Sequence, residues 1–350
     1  MKRKILKFLI DRAKRSKLIQ SVFEQPLDIP KLPVKGVFVD SRGNEHKLHE
    51  GLRSKIKPGW QKYFAENKTG ITQEQIDRYV ENGRISVERI APVISLYNDG
   101  GIKDKKILEI GCHSGAAAYA FLERGAGSVT GSEFSGYKVQ ATKGGGADRS
   151  DLKTVEDKMI DLRKAVEQKY NSSLNVNFVD DDICSTTLDS DTYDLICSWD
   201  VLEHLHDPVG AFKSIRSLLK DDGISVHDYN PFFSLVGGHS ACTLDFPWGH
   251  VTLPNNDFIR FNQEHQPEKS EKSISFYQKG INRMSMKGLK SACKDAGMEI
   301  LSLIPFPKEQ NLRMLNSKIL ELAISNYPDV TVNDLISSRI IVVMKKAKSS

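Results

Sequence analysis

From Lys106 to Asp228, short apolar runs alternate with stretches of helical periodicity, and that alternation is what a parallel sheet with crossover helices requires. The runs expected as strands are Lys106 to Ile110, Ser128 to Ser132, Asn175 to Val179, Tyr193 to Ser198 and Gly223 to Asp228. Two more, Met298 to Ile304 and Arg339 to Lys345, bring the expected sheet to seven strands. The class is therefore α/β. A helix from about Thr72 to Leu96 leads into the first strand, and a charge-laced helix from Ser150 to Tyr170 follows the glycine run at 143–146.

Two parts of the chain fall outside that alternation. Residues 31 to 50 alternate apolar and polar positions around Ser41-Arg42-Gly43-Asn44, which predicts a hairpin within an N-terminal extension spanning 1–70. Between the fifth strand and a helix near Lys287 lies an aromatic, His- and Pro-rich insertion, about 231–285, too long for a plain connection and taken here as a substrate cover. Residues 71–350 then form the main domain.

The net charge of +5 conceals a division. Residues 1–60 hold 15 Lys and Arg against 6 Asp and Glu, so the remainder is slightly acidic. A basic catalytic surface for nucleic acid is not supported, whereas a basic arm is. In that arm Ile5, Leu6, Leu9, Ile10, Ala13 and Leu18 recur near helical period, predicting an amphipathic helix. It is expected to pack on its own protein or a second subunit, with contact to an anionic membrane surface as the other reading. Lys7 and Asp11 break its apolar run and no small-residue cleavage site follows, so neither a secretory signal nor a spanning helix is expected. The five cysteines are scattered without a CxxC pair, which fits a reducing cytoplasm, at most peripheral to the inner membrane face, and argues against disulfides or a cysteine zinc site.

The first strand opens on Gly111-Cys112-His113-Ser114-Gly115 and an Ala-rich helix starting near Ala116. Glycine at both ends of the loop permits a tight turn and close backbone approach to a ligand, and the helix start presents free N–H groups. Glu133, closing the second strand, is placed to accept hydrogen bonds from two ribose hydroxyls. Asp182-Ile183 after the third strand suits an adenine amino group and its ring. A dinucleotide fingerprint would be GxGxxG; this loop departs from it and keeps Glu109 two residues before the first glycine.

Taken in order, ILEIGCHSG, Glu133, Asp182-Ile183, YDLICSWDVLEHLHDP and LLKDDGISV resemble successive motifs of the class I S-adenosylmethionine-dependent methyltransferases, especially their small-molecule branch. The resemblance covers roughly Lys106 to Asp228, and the strands after Met298 by topology only. It implies a Rossmann-like, mostly parallel seven-stranded sheet whose last strand runs antiparallel beside the fifth. It also implies that Glu109, Gly111, Cys112 and Gly115 surround the methionine part of S-adenosylmethionine, Glu133 the ribose, Asp182 and Ile183 the adenine, and Ser198 with Trp199 the region of the methyl group. Cys112-His113 depart from the small or acidic residues commoner there, at positions where the backbone does most of the work.

Methyl transfer from a sulfonium needs alignment and exclusion of water more than covalent machinery, although a hydroxyl acceptor must lose a proton. His204, His227, Asp228 and His250 are the candidate acid–base groups, with His239, Phe246 and Trp248 in the cover as recognition candidates. Asp200, Glu203 and His204 partly match the Glu-x-x-Glu-His metal set of some quinone-pathway O-methyltransferases, so a divalent metal is a second candidate cofactor; a packing role for His204 is the alternative. Asn230-Pro231-Phe232 follows the fifth strand rather than the fourth, unlike the Asn-Pro-Pro-Tyr signature of nucleobase amino methylation. The expectation is O-methylation of a small-molecule or glycan-type acceptor. An RNA or protein target, and a non-catalytic S-adenosylmethionine-binding partner, are the competing readings.

Overall fold

The computed structural model describes residues 29–65, 71–137, 149–170 and 173–348. The N-terminal amphipathic segment and the glycine run at 143–146 lie outside them. The hairpin forms from β1 (Val34–Val39) and β2 (Glu45–His49), followed by a short helix α1 (Leu52–Ile56). Helix α2 (Gln73–Tyr97) starts at a capping box in which the Thr72 hydroxyl accepts the Gln75 N–H and the Gln75 side chain accepts the Thr72 N–H.

The central sheet contains β3 (Lys106–Ile110), β4 (Ser128–Glu133), β5 (Val176–Asp180), β6 (Tyr193–Trp199), β7 (Leu219–Tyr229), β8 (Met298–Pro307) and β9 (Ser337–Lys346), in the spatial order β5-β4-β3-β6-β7-β9-β8. β9 runs antiparallel to both neighbours and the other pairings are parallel. Strand β7 begins four residues before the expected start, because Leu219 already pairs with Tyr193 ahead of the glycine.

Side chains of the inner strands alternate between two cores, as the period of two dictates. Ile107, Leu195, Cys197, Val226, Ile341 and Val343 meet α2, α3 (Ala116–Glu123) and α4 (Arg149–Glu167). Leu108, Ile196, Ile340, Val342 and Met344 meet α5 (Pro208–Leu218) on the opposite face. The apolar segment RIIVVM is thus buried on both sides, which explains why it shows no amphipathic alternation.

The insertion is folded, with short helices α6 (His239–Cys242), α7 (Gly249–Thr252), α8 (Asn255–His265) and α9 (Pro267–Ser275), and a π turn at Phe276–Gly280. Its aromatic residues build a third core, where Phe232, Trp248, Phe258 and Tyr277 pack with Phe38 and Leu48 of the hairpin and Leu52 of α1. Arg53 ties the two segments together by donating to the Ser240 carbonyl at 2.8 Å. The sequence supplies enough apolar area here for an independent core, and the cover consequently sits rigidly over the carboxyl ends of the strands. Helix α10 (Met286–Asp295) returns the chain to β8, and α11 (Glu309–Met314), α12 (Ser317–Asn326) and α13 (Val332–Ile336) precede β9.

Candidate active site

The loop after β3 turns with Gly111 at φ 69° and Gly115 at φ 73°, both left-handed conformations that favour glycine. A Cβ at Gly111 would stand 2.5 Å from Val201 Cγ2, and one at Gly115 would meet the Phe178 ring. His113 is also left-handed, and its N–H donates to Glu133 Oε2 at 2.8 Å, which locks the loop to the end of β4. Beside it Ser135 N–H donates to Asp180 Oδ1 at 2.9 Å, so the tips of β4 and β5 are held in one line.

These tips open on a cavity of about 290 Å³. Of the residues expected to hold the cofactor, Gly111, Glu133, Asp182, Ile183 and Trp199 line it, and Asp200 and His204 line its far side. Glu109, Cys112 and Gly115 are not on its wall. Cys112 is buried behind the loop, where Arg163 donates to its sulfur at 3.3 Å. Phe134, Tyr137, His206 and Lys279 also stand on the wall and were not anticipated. Tyr137 and Lys279 reach it from segments whose folding the local pattern does not reveal, whereas Phe134 and His206, each next to or near a recognised motif, were legible in principle.

Three acid–base candidates are corrected by their surroundings. His227 is fully buried inside the sheet, with Nδ1 2.7 Å from the Ser198 hydroxyl, and burial alone drives its pKa down to about 3. Ser198, held in that pair at 1% exposure, is not on the cavity wall. His250 is buried in the cover core, where its Nε2 lies 2.8 Å from the Phe232 carbonyl and burial again lowers its pKa, to about 4. Asp228 is clamped by Arg89 Nη1 at 2.8 Å and Arg339 Nε at 2.6 Å, a buried ion pair that ties α2 and β9 to the end of β7. For His227 and Asp228 the reason is shared: a position at a strand's carboxyl end is near the crevice, but its surroundings depend on the neighbouring elements, whereas His250 is taken up by the core of the insertion.

The expected metal set is corrected too. Asp200 Oδ1 pairs with Arg339 Nη1 at 2.9 Å and is 51% exposed, whereas Glu203 is buried at 1%. The groups that approach one another are Glu203, His204 and His239, the last arriving from the cover. His204 Nδ1 lies 2.6 Å from the Gly280 carbonyl and 2.7 Å from the Tyr137 hydroxyl, which itself donates to that carbonyl at 2.8 Å. A carbonyl only accepts, so Nδ1 carries the proton and Nε2 the lone pair. Burial lowers the pKa of this imidazole and keeps it neutral.

Which ligand fits the cavity follows from its charge. Among the described residues of the lining, Glu133, Asp181, Asp182 and Asp200, the last already paired with Arg339, stand against Lys279, a balance hostile to a pyrophosphate and suited to a cationic sulfonium. Among the described residues Trp199 Nε1, on the wall, and Glu109 Oε2, behind it, are buried without a partner, and the first is a donor that an amino acid moiety can satisfy. Residues 79–303 match the methyltransferase domain family. The chain belongs to that family.

Its class I fold makes S-adenosylmethionine the cofactor, and the carboxylates and orphaned polar atoms just described fit it. Ribosomal protein L11 methyltransferase of Pasteurella multocida is 30% identical over 128 residues, 35% of this chain and 43% of that protein. Ubiquinone biosynthesis O-methyltransferase of Coxiella burnetii is 28% identical over 122 residues, 35% of this chain and 42% of that protein. The match thus spans about two fifths of the length of these curated relatives. A solved S-adenosylmethionine dependent methyltransferase from Mesorhizobium loti is 13% identical, with 73% of this chain and 96% of that chain covered and a TM-score of 0.43.

Glu109 gives the methyltransferase domain a pH signature. Burial first, and the Glu133 charge second, raise its pKa to about 8 from the ordinary carboxylate value. The folded protein therefore holds a proton that the unfolded chain releases, so the stability of the ligand-free protein falls as pH rises from about 4.5 to 8. Urea midpoints across that range test this, and a Glu109→Gln variant is expected to flatten the profile. Adenosylhomocysteine, whose ammonium compensates a carboxylate, is expected to release protons on binding near pH 7, seen as a buffer-dependent calorimetric heat.

Proposed function

We propose that this chain transfers a methyl group from S-adenosylmethionine to an oxygen of a small-molecule or glycan-type acceptor. The bound cofactor supplies a methyl already activated on a sulfonium. In this reading Glu133 holds the ribose hydroxyls, Asp182 takes the adenine amino group and Ile183 packs on its ring. The observation that carries the proposal is the make-up of the lining: Tyr137, Trp199, neutral His204 and the Asp200 carboxylate, with Lys279 as the one Lys or Arg among its described residues. Rings and uncharged donors suit a hydroxylated ring, and Asp200 and His204 are the groups there able to assist departure of the hydroxyl proton. An acidic lining disfavours entry of an RNA backbone.

In-line transfer also requires that water be kept from its path, and the insertion reaches the cavity wall through Lys279. No helix among the described residues is long and apolar enough to cross a membrane. The basic, amphipathic sequence of the N-terminal arm supports a docking role for it, on this protein itself, on a second subunit or on an anionic membrane surface.

The test is transfer of labelled methyl from S-adenosylmethionine by the purified protein into separated pools of hydroxylated small molecules, glycans, RNA and protein. Label is expected in the first two. Label confined to RNA or to protein would replace this acceptor class, and binding of adenosylhomocysteine without any transfer would indicate a partner protein. His204→Gln is expected to lower kcat by about 100-fold or more while leaving adenosylhomocysteine affinity within about threefold.

A further inference from the structure

We propose that the apolar stripe of the N-terminal arm, residues 5–13, docks on the outer face of its own hairpin, β1–β2, and into the groove beside it. The inference rests on the docking role read for the arm and names its partner; it is independent of the acceptor.

The two faces of the hairpin differ. Phe38 and Leu48 point inward and are buried in the third core. On the other face Val34, Val37 and Val39 are 52%, 47% and 48% exposed, opposite His49, Lys47 and Glu45 of β2. Three exposed valines on one short strand form the kind of apolar patch that marks an interaction surface. On the β2 side this face runs into a groove of about 830 Å³, bordered by His49 and Phe246 and by Met314, Ile319 and Leu322 of the helical segment before β9. Ile29, the first described residue, stands on the wall of the same groove. The arm thus joins the described fold beside the uncovered face.

Its chemistry matches. Ile5, Leu6, Leu9, Ile10 and Ala13 share one side of a helix, while Lys4, Lys7, Lys14 and Arg15 fall on the other. Such a stripe is roughly 12 Å long at 1.5 Å per residue, against roughly 17 Å from Val34 to Val39 along an extended strand. The tether between stripe and Ile29, residues 14–28, reaches at most roughly 50 Å and so does not limit the fit. Nor does charge oppose it. Among the described residues Arg313 is paired with Glu309 at 2.5 Å, Lys318 lies 3.9 Å from Glu321, and Lys47 is offset by Glu45. Two other occupants compete for the stripe. Tethering gives the arm an effective concentration on the order of millimolar at its own hairpin, above that of a second copy in a micromolar solution. A bilayer surface is flat, so it covers the valines but leaves the groove beside them unfilled.

The full chain is treated with limiting trypsin, without lipid, and cleavage after Lys4, Lys7 and Arg12 is followed by mass spectrometry in the wild type and in a Val37→Gln, Val39→Gln double variant. Cleavage is expected to be at least about tenfold slower in the wild type at every protein concentration. Equal rates would overturn the proposal. So would protection that grows with protein concentration, which assigns the stripe to a second copy, or protection seen only with phosphatidylserine vesicles and alike in both proteins, which assigns it to a membrane. Should the double variant fail to fold, methyl NOEs in the dilute wild type decide: contacts from Leu6, Leu9 or Ile10 to Val37 or Val39 are expected, and their absence would sink the docking. Adenosylhomocysteine affinity is expected to be the same in both proteins, so failure of the docking and failure of the methyltransferase reading are told apart.

Discussion

Replacing Glu133 by alanine is expected to weaken adenosylhomocysteine binding by at least about 100-fold, because the two charge-assisted hydrogen bonds to the ribose that the proposed seating assigns to it, each worth about 1.5–3 kcal/mol, would be lost together. The same carboxylate accepts the His113 N–H at 2.8 Å. The variant therefore also loosens the glycine loop that positions the methionine end, and the two losses reinforce one another. Glu133→Gln keeps a side chain of the same shape and one acceptor oxygen for His113, so it should lie between the wild type and alanine. Calorimetric titration of all three proteins checks the ranking. If Glu133→Ala bound the ligand as tightly as the wild type, the ribose assignment, and with it the orientation of the cofactor in the cavity, would fall.

Asp228→Ala is expected to lower stability by about 1.5–3 kcal/mol, since Arg89 loses its carboxylate while Arg339 keeps only Asp200. Arg89 comes from α2 and Arg339 from β9, so the loss is felt in elements far apart in the chain. The urea midpoint should fall, and the Arg339–Asp200 pair at the rim, left without its buried partner, should no longer order the far wall of the cavity. A variant with wild-type stability but no turnover would instead return Asp228 to the chemistry, which its burial and double pairing argue against. Arg339→Met distinguishes the two partners: Arg89 still neutralises Asp228, so a smaller loss than for Asp228→Ala is expected.

The strands, the glycine loop and the acidic residues at the tips of β4 and β5 were legible in the chain because each rests on local chemistry. Leu195, Ile196 and Cys197 are apolar because both faces of a parallel sheet are covered, and Gly111 and Gly115 stand where the backbone turns left-handed. The role of the histidines was not legible. His227 lies in the end of β7 and His204 in the turn after β6, yet one is sealed against Ser198 and the other opens on the cavity, a distinction made by β9 on one side and the cover on the other.

The metal set shows the same division. Asp200, Glu203 and His204 are close in sequence, but after β6 Asp200 adopts a left-handed backbone and turns out to Arg339, more than a hundred residues later, while Glu203 turns inward. His239 takes the place beside Glu203 and His204 only because the aromatic core of the cover docks on the hairpin and α1. Order along the chain determined the sheet, the crossover helices and the cofactor's general seat, since those depend on periodicity, turn residues and contacts within one β–α unit. Tertiary structure decided which carboxylate is clamped, which imidazole is neutral and exposed to ligand, and which three side chains converge, because each depends on the pairing of segments whose sequence separation leaves no local trace.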